Sequence, residues 1–275
     1  MTNWKSELCS LVDSHIHLQD YEIGTNIGEL IDEAISSGVS CMVCNGTEVD
    51  DWQIVQGFSE KYPQVVPCFG VHPWFVNRLP SDWEDRLEHM LQSVKSGVGE
   101  IGLDRNVEDF DRELQEEIFR RQLALAVKYD RPATIHCVKS WGWMMDVLRS
   151  ENALPHKMLF HSYGGPSDLI PELTKMGAFF SYSGKVLFTN YLRARRSLLE
   201  VPPERLLIET DAPCMVPPSA YVVRSLKSSD GYECNLPANL PLILQGISEL
   251  LNEEMEHLKE RLSRNSRIFF GGLLE

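Results

Sequence analysis

Nothing in this 275-residue sequence approaches the ~18 consecutive apolar residues of a membrane span. A Gly-rich phosphate loop and a dinucleotide fingerprint are also missing, which sets aside nucleotide-cradling and hydride-transfer chemistry of the usual kinds. There is no low-complexity segment, no long Pro/Gly/Ser linker and no short internal repeat, so a single domain is expected over residues 1–275. Residues 1–10 lack the basic flank and apolar run of a secretory signal. Cysteine is present but odd in number: seven residues, scattered through a chain too long to need disulfide staples. Cys41 and Cys44 have redox-type spacing but fall inside an apolar, strand-like run, and are read as buried thiols. Together these absences predict a cytoplasmic protein, alternatively a nuclear one, neither secreted nor membrane-bound; the sequence leaves the oligomeric state open, with a monomer the favoured expectation. Positive charge is scarce as well. Lys and Arg number 26 against 40 Asp and Glu, a formal charge of −14, which argues against nonspecific coating of nucleic acid. It leaves room for an enzyme acting on phosphodiesters, because bound divalent cations invert the local field.

What is present is alternation. β-rich apolar runs at 11–17, 39–45, 65–71, 97–103, 133–138, 158–162, 178–182 and 206–210 are separated by amphipathic stretches, clearest at 26–37, 113–129 and 166–175. Eight buried, continuously apolar strands separated by helices predict an α/β fold, a (β/α)8 TIM barrel, with a doubly wound open sheet as the alternative. A helical tail, 236–275, is expected to pack on the barrel through an apolar stripe. Met144 and Met145, beside Trp141 and Trp143, are read as packing or as the rim of the mouth.

In such barrels chemistry sits where strands end. Strand one ends in His15 and His17, which share a face because side chains alternate along a strand. Strand four places Glu100 in an apolar run, strand five ends in His136, strand six in His161 and strand eight in Asp211. Each alone has an ordinary explanation as a core histidine, an edge charge or a turn cap. Five strands delivering ligand-type residues at the same register do not, because buried carboxylates are costly without a countercharge. Four His, one Glu and one Asp exceed one tetrahedral ion and suit two, with Glu100 bridging. His15, His17 and Asp211 would bind one ion, His136 and His161 the other. Asp211 is expected to accept the proton of the attacking water, so Asp211 and Glu100 are the predicted catalytic pair.

At these residues the chain resembles the TatD family of metal-dependent deoxyribonucleases, a branch of the amidohydrolase-like barrels. The motifs, in order, are Asp13-Ser-His15-Ile-His17, Gly70-Val-His72-Pro73-Trp74, Gly99-Glu-Ile-Gly-Leu-Asp104, Ile135-His136, His161-Ser-Tyr-Gly-Gly165 and Glu209-Thr-Asp211-Ala-Pro213. The resemblance implies hydrolysis of DNA phosphodiesters, as a 3′→5′ exonuclease on single strands or ends, with two divalent ions: Mg²⁺, or alternatively Mn²⁺ or Zn²⁺. It also suggests His72 and Asn235 as substrate contacts and Asp104 as a ligand-orienting group at the mouth, with Arg224 and Lys227 as hypothetical further contacts. The chain departs from the family pattern at Arg105, in the loop after His161, and in the segment 224–237, which carries fewer positive charges. The competing reading is an amidohydrolase or an aminoacyl-tRNA ester deacylase on the same centre. A carboxylated lysine bridges many binuclear amidohydrolases, and strand four offers Glu100 without one. A non-catalytic scaffold would be expected to have lost a ligand, and none is missing.

Overall fold

The structure, a computed structural model, describes residues 11–22 and 24–274, so the readings made of residues 1–10, and Cys9 among them, lie outside it. Eight parallel strands follow one another in chain order: β1 (Leu11–Ile16), β2 (Val39–Asn45), β3 (Val65–Phe69), β4 (Gly97–Asp104), β5 (Ala133–Val138), β6 (Met158–Phe160), β7 (Ala178–Tyr182) and β8 (Leu206–Ile208). The helices between them are α1 (Ile27–Ser36), α2 (Trp52–Lys61), α3 (Trp83–Ser93), α4 (Arg112–Lys128), α5 (Trp141–Ser150), α6 (Ile170–Lys175) and α7 (Leu192–Glu200), with α8 (Leu240–Leu251) and α9 (Met255–Phe270) after the last strand. This is the (β/α)8 barrel the alternation predicts. The open-sheet alternative fails because β8 meets β1. Asp211 N–H donates to the His15 carbonyl (3.0 Å), His17 N–H to the Ala212 carbonyl (2.8 Å), and Ser14 Oγ to the Ile208 carbonyl (2.8 Å). Asp13 completes the seam: its Oδ1 accepts Thr210 N–H (2.9 Å) and its Oδ2 the Thr210 hydroxyl.

Alternation along the strands divides the core in two. Leu11, Met42, Cys44, Phe160 and Ile208 belong to the large cluster shared with the helices. Val12, Val43, Val66, Leu159, Phe179 and Leu207 form a second cluster with Phe269, Phe270 and Leu274, so the end of α9 closes the barrel at the strand beginnings. Asn265 Nδ2, donating to the Leu206 carbonyl (2.9 Å), pins α9 there. Among the described residues no helix is long and apolar enough to cross a membrane. Met144, Met145 and Trp143 are core, not rim, and Cys41 and Cys44 are buried thiols.

Strands six and eight are shorter than the sequence suggests. Ser162 (φ 41°) and Asp211 (φ 53°) take left-handed conformations that end the extended run. Two helices, α1 and α4, begin at side chains that satisfy a free N–H group: Asn26 Oδ1 accepts Glu29 N–H, and Asp111 Oδ1 accepts Leu114 N–H. Gly102 has φ +153°, and a Cβ there would stand 2.0 Å from the His136 carbonyl oxygen. Gly102→Ala is therefore expected to push β4 off β5, at a cost of about 3 kcal/mol and a Tm lower by roughly 6–12 °C in thermal unfolding.

Candidate metal centre

Two irregularities aim the central side chains. The β1–β2 ladder slips between Asp13 and Ile16, and the β4–β5 ladder between Val98 and Ile101. His15 and Glu100 sit in those slips, where a local break in pairing re-aims a side chain. All six residues expected to bind metal converge at the strand ends, and all are buried. Glu100 stands at the centre and divides them. Its Oε2 lies 3.3 Å from His15 Nε2 and 3.2 Å from His17 Nε2. Its Oε1 lies 2.8 Å from His136 Nδ1 and 2.8 Å from His161 Nε2. Asp211 Oδ1 is 3.6 Å from both His15 and His17.

Hydrogen bonds behind the rings assign their tautomers. His17 Nδ1 meets the Asn45 carbonyl (2.9 Å), so that nitrogen donates and Nε2 keeps its lone pair facing Glu100. His136 Nε2 meets Asp104 Oδ2 (3.2 Å), freeing Nδ1. Glu209 Oε1 lies 3.5 Å behind His161 Nδ1, a charge contact without a hydrogen bond, so it does not assign that ring's tautomer. His72 has the opposite polarity: Trp74 N–H donates to its Nδ1 (3.1 Å), so Nε2 carries the proton and points it at Glu100 Oε1, 3.4 Å away. In this tautomer His72 is a donor at the mouth, although it also stands with Glu100 and His136 in a group whose ligand atoms could hold a metal ion.

The cluster demands positive charge. His15 Nε2 and His17 Nε2 are 2.9 Å apart, a separation at which two lone pairs repel unless a proton or a cation lies between them. Buried His15 Nδ1 has no hydrogen-bond partner. Burial alone would raise the Glu100 carboxyl, but His161, His72 and His15 outweigh it and hold Glu100 well below the carboxylate range. Burial disfavours a charged His17, yet Glu100 and Asp211 push it up to about 9. His161 is driven well above its ordinary value in the same way, against its burial, by Glu100 and Glu209. Burial lifts Asp211 to about 6, with His161 and His17 opposing. Three carboxylates, Glu100, Asp211 and Glu209, thus favour protons on the buried imidazoles of His17 and His161, the places that divalent cations take by competition. The mixed imidazole and carboxylate donors fit Mg²⁺, Mn²⁺ or Zn²⁺.

Several positioning groups have no role assigned from the sequence, although Glu209 lies within the Glu209-Thr-Asp211 motif. Glu209, fully buried, also accepts Ser162 N–H (2.7 Å) and the Ser181 hydroxyl, fixing the turn that holds His161. Gln122 makes paired hydrogen bonds with the Val71 backbone, and Gln115 with that of Asp104. They lie seven residues apart on the buried face of α4, and polar residues on an apolar face were the available clue. Asp104 also accepts Trp74 Nε1–H (2.8 Å) and reaches the cavity.

Asn235 is a correction: it does not reach substrate. It is fully buried; its Nδ2 donates to the Thr210 carbonyl and its Oδ1 accepts Leu236 N–H and Asn239 Nδ2–H, so its capacity is spent holding the loop after β8. Arg224 is likewise remote, paired with Glu33, and with Lys227 it lines a separate groove.

A closed barrel with imidazoles shared across a central carboxylate defines a metal-dependent hydrolase. The chain belongs to the family of TatD-related DNases, whose model matches residues 12–271. It is 27% identical over 263 residues to the uncharacterized metal-dependent hydrolase YabD of Bacillus subtilis, covering 94% of this chain and 98% of that one. It is 28% identical over 267 residues to the 3′-5′ ssDNA/RNA exonuclease TatD of Klebsiella pneumoniae, covering 95% and 98%. Among solved structures, YJJV, a TatD homologue from Escherichia coli K12, superposes with a TM-score of 0.85 at 23% identity, covering 96% and 99%.

Proposed function

We propose that this protein hydrolyses phosphodiester bonds of single-stranded DNA, or of DNA ends, from the 3′ terminus. The observation that carries the reading is the division of Glu100: one oxygen serves His15 and His17, the other His136 and His161. His15, His17 and Asp211 would hold one divalent ion, His136 and His161 the second, with Glu100 shared and Mg²⁺ the expected metal. Two such cations supply Lewis acidity at a phosphoryl oxygen and a water that is nucleophilic at neutral pH. Asp211, lifted toward neutrality by its burial, accepts the proton released on attack. His72 Nε2–H donates to a non-bridging phosphate oxygen. Asp104 holds His136 in the tautomer that faces the site, and the Glu209 carboxylate stands behind His161.

The test is cleavage of an end-labelled single-stranded oligonucleotide with Mg²⁺, Mn²⁺ or Zn²⁺, before and after chelation. Shortening from the 3′ end that stops with chelator and returns with metal is expected. No product with any of the three ions would discard the reading. One feature favours a second substrate class, an amide or an aminoacyl ester: Asp20, Glu48, Asp50 and Asp51 line the cavity and disfavour a polyanion there. Metal-dependent ester hydrolysis without oligonucleotide cleavage would select it.

A further inference from the structure

Two cavities meet at Lys185. One, about 710 Å³, opens over the metal centre; the other, about 160 Å³, lies beside it, with Met215 also common to both. Among the described residues lining either, Lys185 is the single Lys or Arg. The first cavity is otherwise acidic, and its extra carboxylates come from the segments after β1 and β2 and the end of β4. Lys185 follows β7, which lies across the barrel from β3 in the closed strand order. The mouth therefore repels an anion on one side and receives it on the other.

The small cavity is built to continue that path. The hydroxyls of Ser162 and Ser183 lie 3.2 Å apart and each 3.1 Å from Met215 Sδ, a weak acceptor, so both can turn to an anionic oxygen. Tyr191, with 41% of its surface exposed, and Ala194 form its outer wall at the start of α7. Arg193, Arg195 and Arg196 stand on the same turns of α7. Among the described residues none of these arginines, nor Lys185, makes an ion pair, whereas Arg120, Arg121, Arg149, Arg224 and Arg261 are paired with glutamates. In a chain of formal charge −14, that leaves an unpaired cationic track leading out of the site.

We propose that this track is the path of the substrate strand: Lys185, with Ser162 and Ser183, binds the phosphate next to the scissile one, Arg193 and Arg196 bind those beyond it, and Tyr191 offers a face for base stacking. The path rests on the phosphodiesterase activity proposed above and adds to it the side on which the strand lies.

The experiment compares a single-stranded octanucleotide with bis(p-nitrophenyl) phosphate, which has one phosphodiester and no neighbour. Wild type, Lys185→Ala, Lys185→Arg and the double variant Arg193→Ala/Arg196→Ala are assayed with Mn²⁺ across salt concentrations. For Lys185→Ala the kcat/KM ratio of octanucleotide to small diester is expected to fall about tenfold, chiefly through KM. The slope of log KM against log salt should drop by about 0.7 for each phosphate that the variant no longer neutralises, and Lys185→Arg should restore most of both. Unchanged KM and slope in Lys185→Ala and in the double variant, with the octanucleotide still cleaved, would overturn the path and leave the phosphodiesterase standing. Cleavage of the small diester alone by wild type would do the same. Failure on both substrates with Mg²⁺, Mn²⁺ and Zn²⁺ would remove the phosphodiesterase reading and the path together.

Discussion

Glu100→Ala is expected to fold, to bind neither metal ion, and to lose turnover by more than about 10³-fold. The reason is the division of one carboxylate between two groups of imidazoles. In the proposed centre two divalent ions about 4 Å apart would repel strongly, and Glu100 would be the charge between them. With it gone, His15, His17 and Asp211 no longer share a ligand with His136 and His161, and neither group has an anion facing the other. Removing the carboxylate also leaves the buried imidazoles it faces without a countercharge, which costs stability, so the loss of turnover has to be separated from unfolding. Elemental analysis beside a thermal melt separates the two. Retention of two equivalents of metal would refute the bridge, and a collapsed melt would mean that the activity loss reports unfolding.

Asp211→Asn is the second large effect. The amide keeps the shape of the side chain but cannot accept a proton from water, and a positioned base contributes about 10² to 10⁴ in rate. A decrease within that range is expected in kcat, with metal partly retained because His15, His17 and Glu100 remain. Unchanged kcat in a metal-replete sample would end the assignment of Asp211 as base. The same residue also holds the seam, but through its backbone N–H, which the substitution leaves in place.

Most of the barrel is legible in the sequence, because each strand is a short apolar run and the alternation with helices leaves few topologies. Strand ends are less legible. Nothing in His161-Ser162 or Asp211-Ala212 announces a left-handed residue, and those residues cut β6 and β8 short. The six ligand-type residues are conspicuous because charge is rare at strand ends. Polar residues that act on backbone are not: Gln115, Gln122, Glu209 and Asn235 have partners set by long-range packing. Asn235 shows the error this invites, since an amide in a loop near the site reads as a substrate contact until its partners are known. Lys185 and the α7 arginines belong to no motif in the sequence and gain significance only once the cavity beside them is seen.

Phe269, Phe270 and Leu274 stopper the barrel at the strand beginnings, which makes it a well and not a pipe. If the proposed exonuclease activity holds, a severed nucleotide would have to back out through the opening by which its parent chain came in. It would do so carrying a newly formed terminal charge, past Asp20, Glu48 and Asp50. Those acids would discourage lingering there, while on the proposed path the remaining polymer would stay moored on the opposite bank.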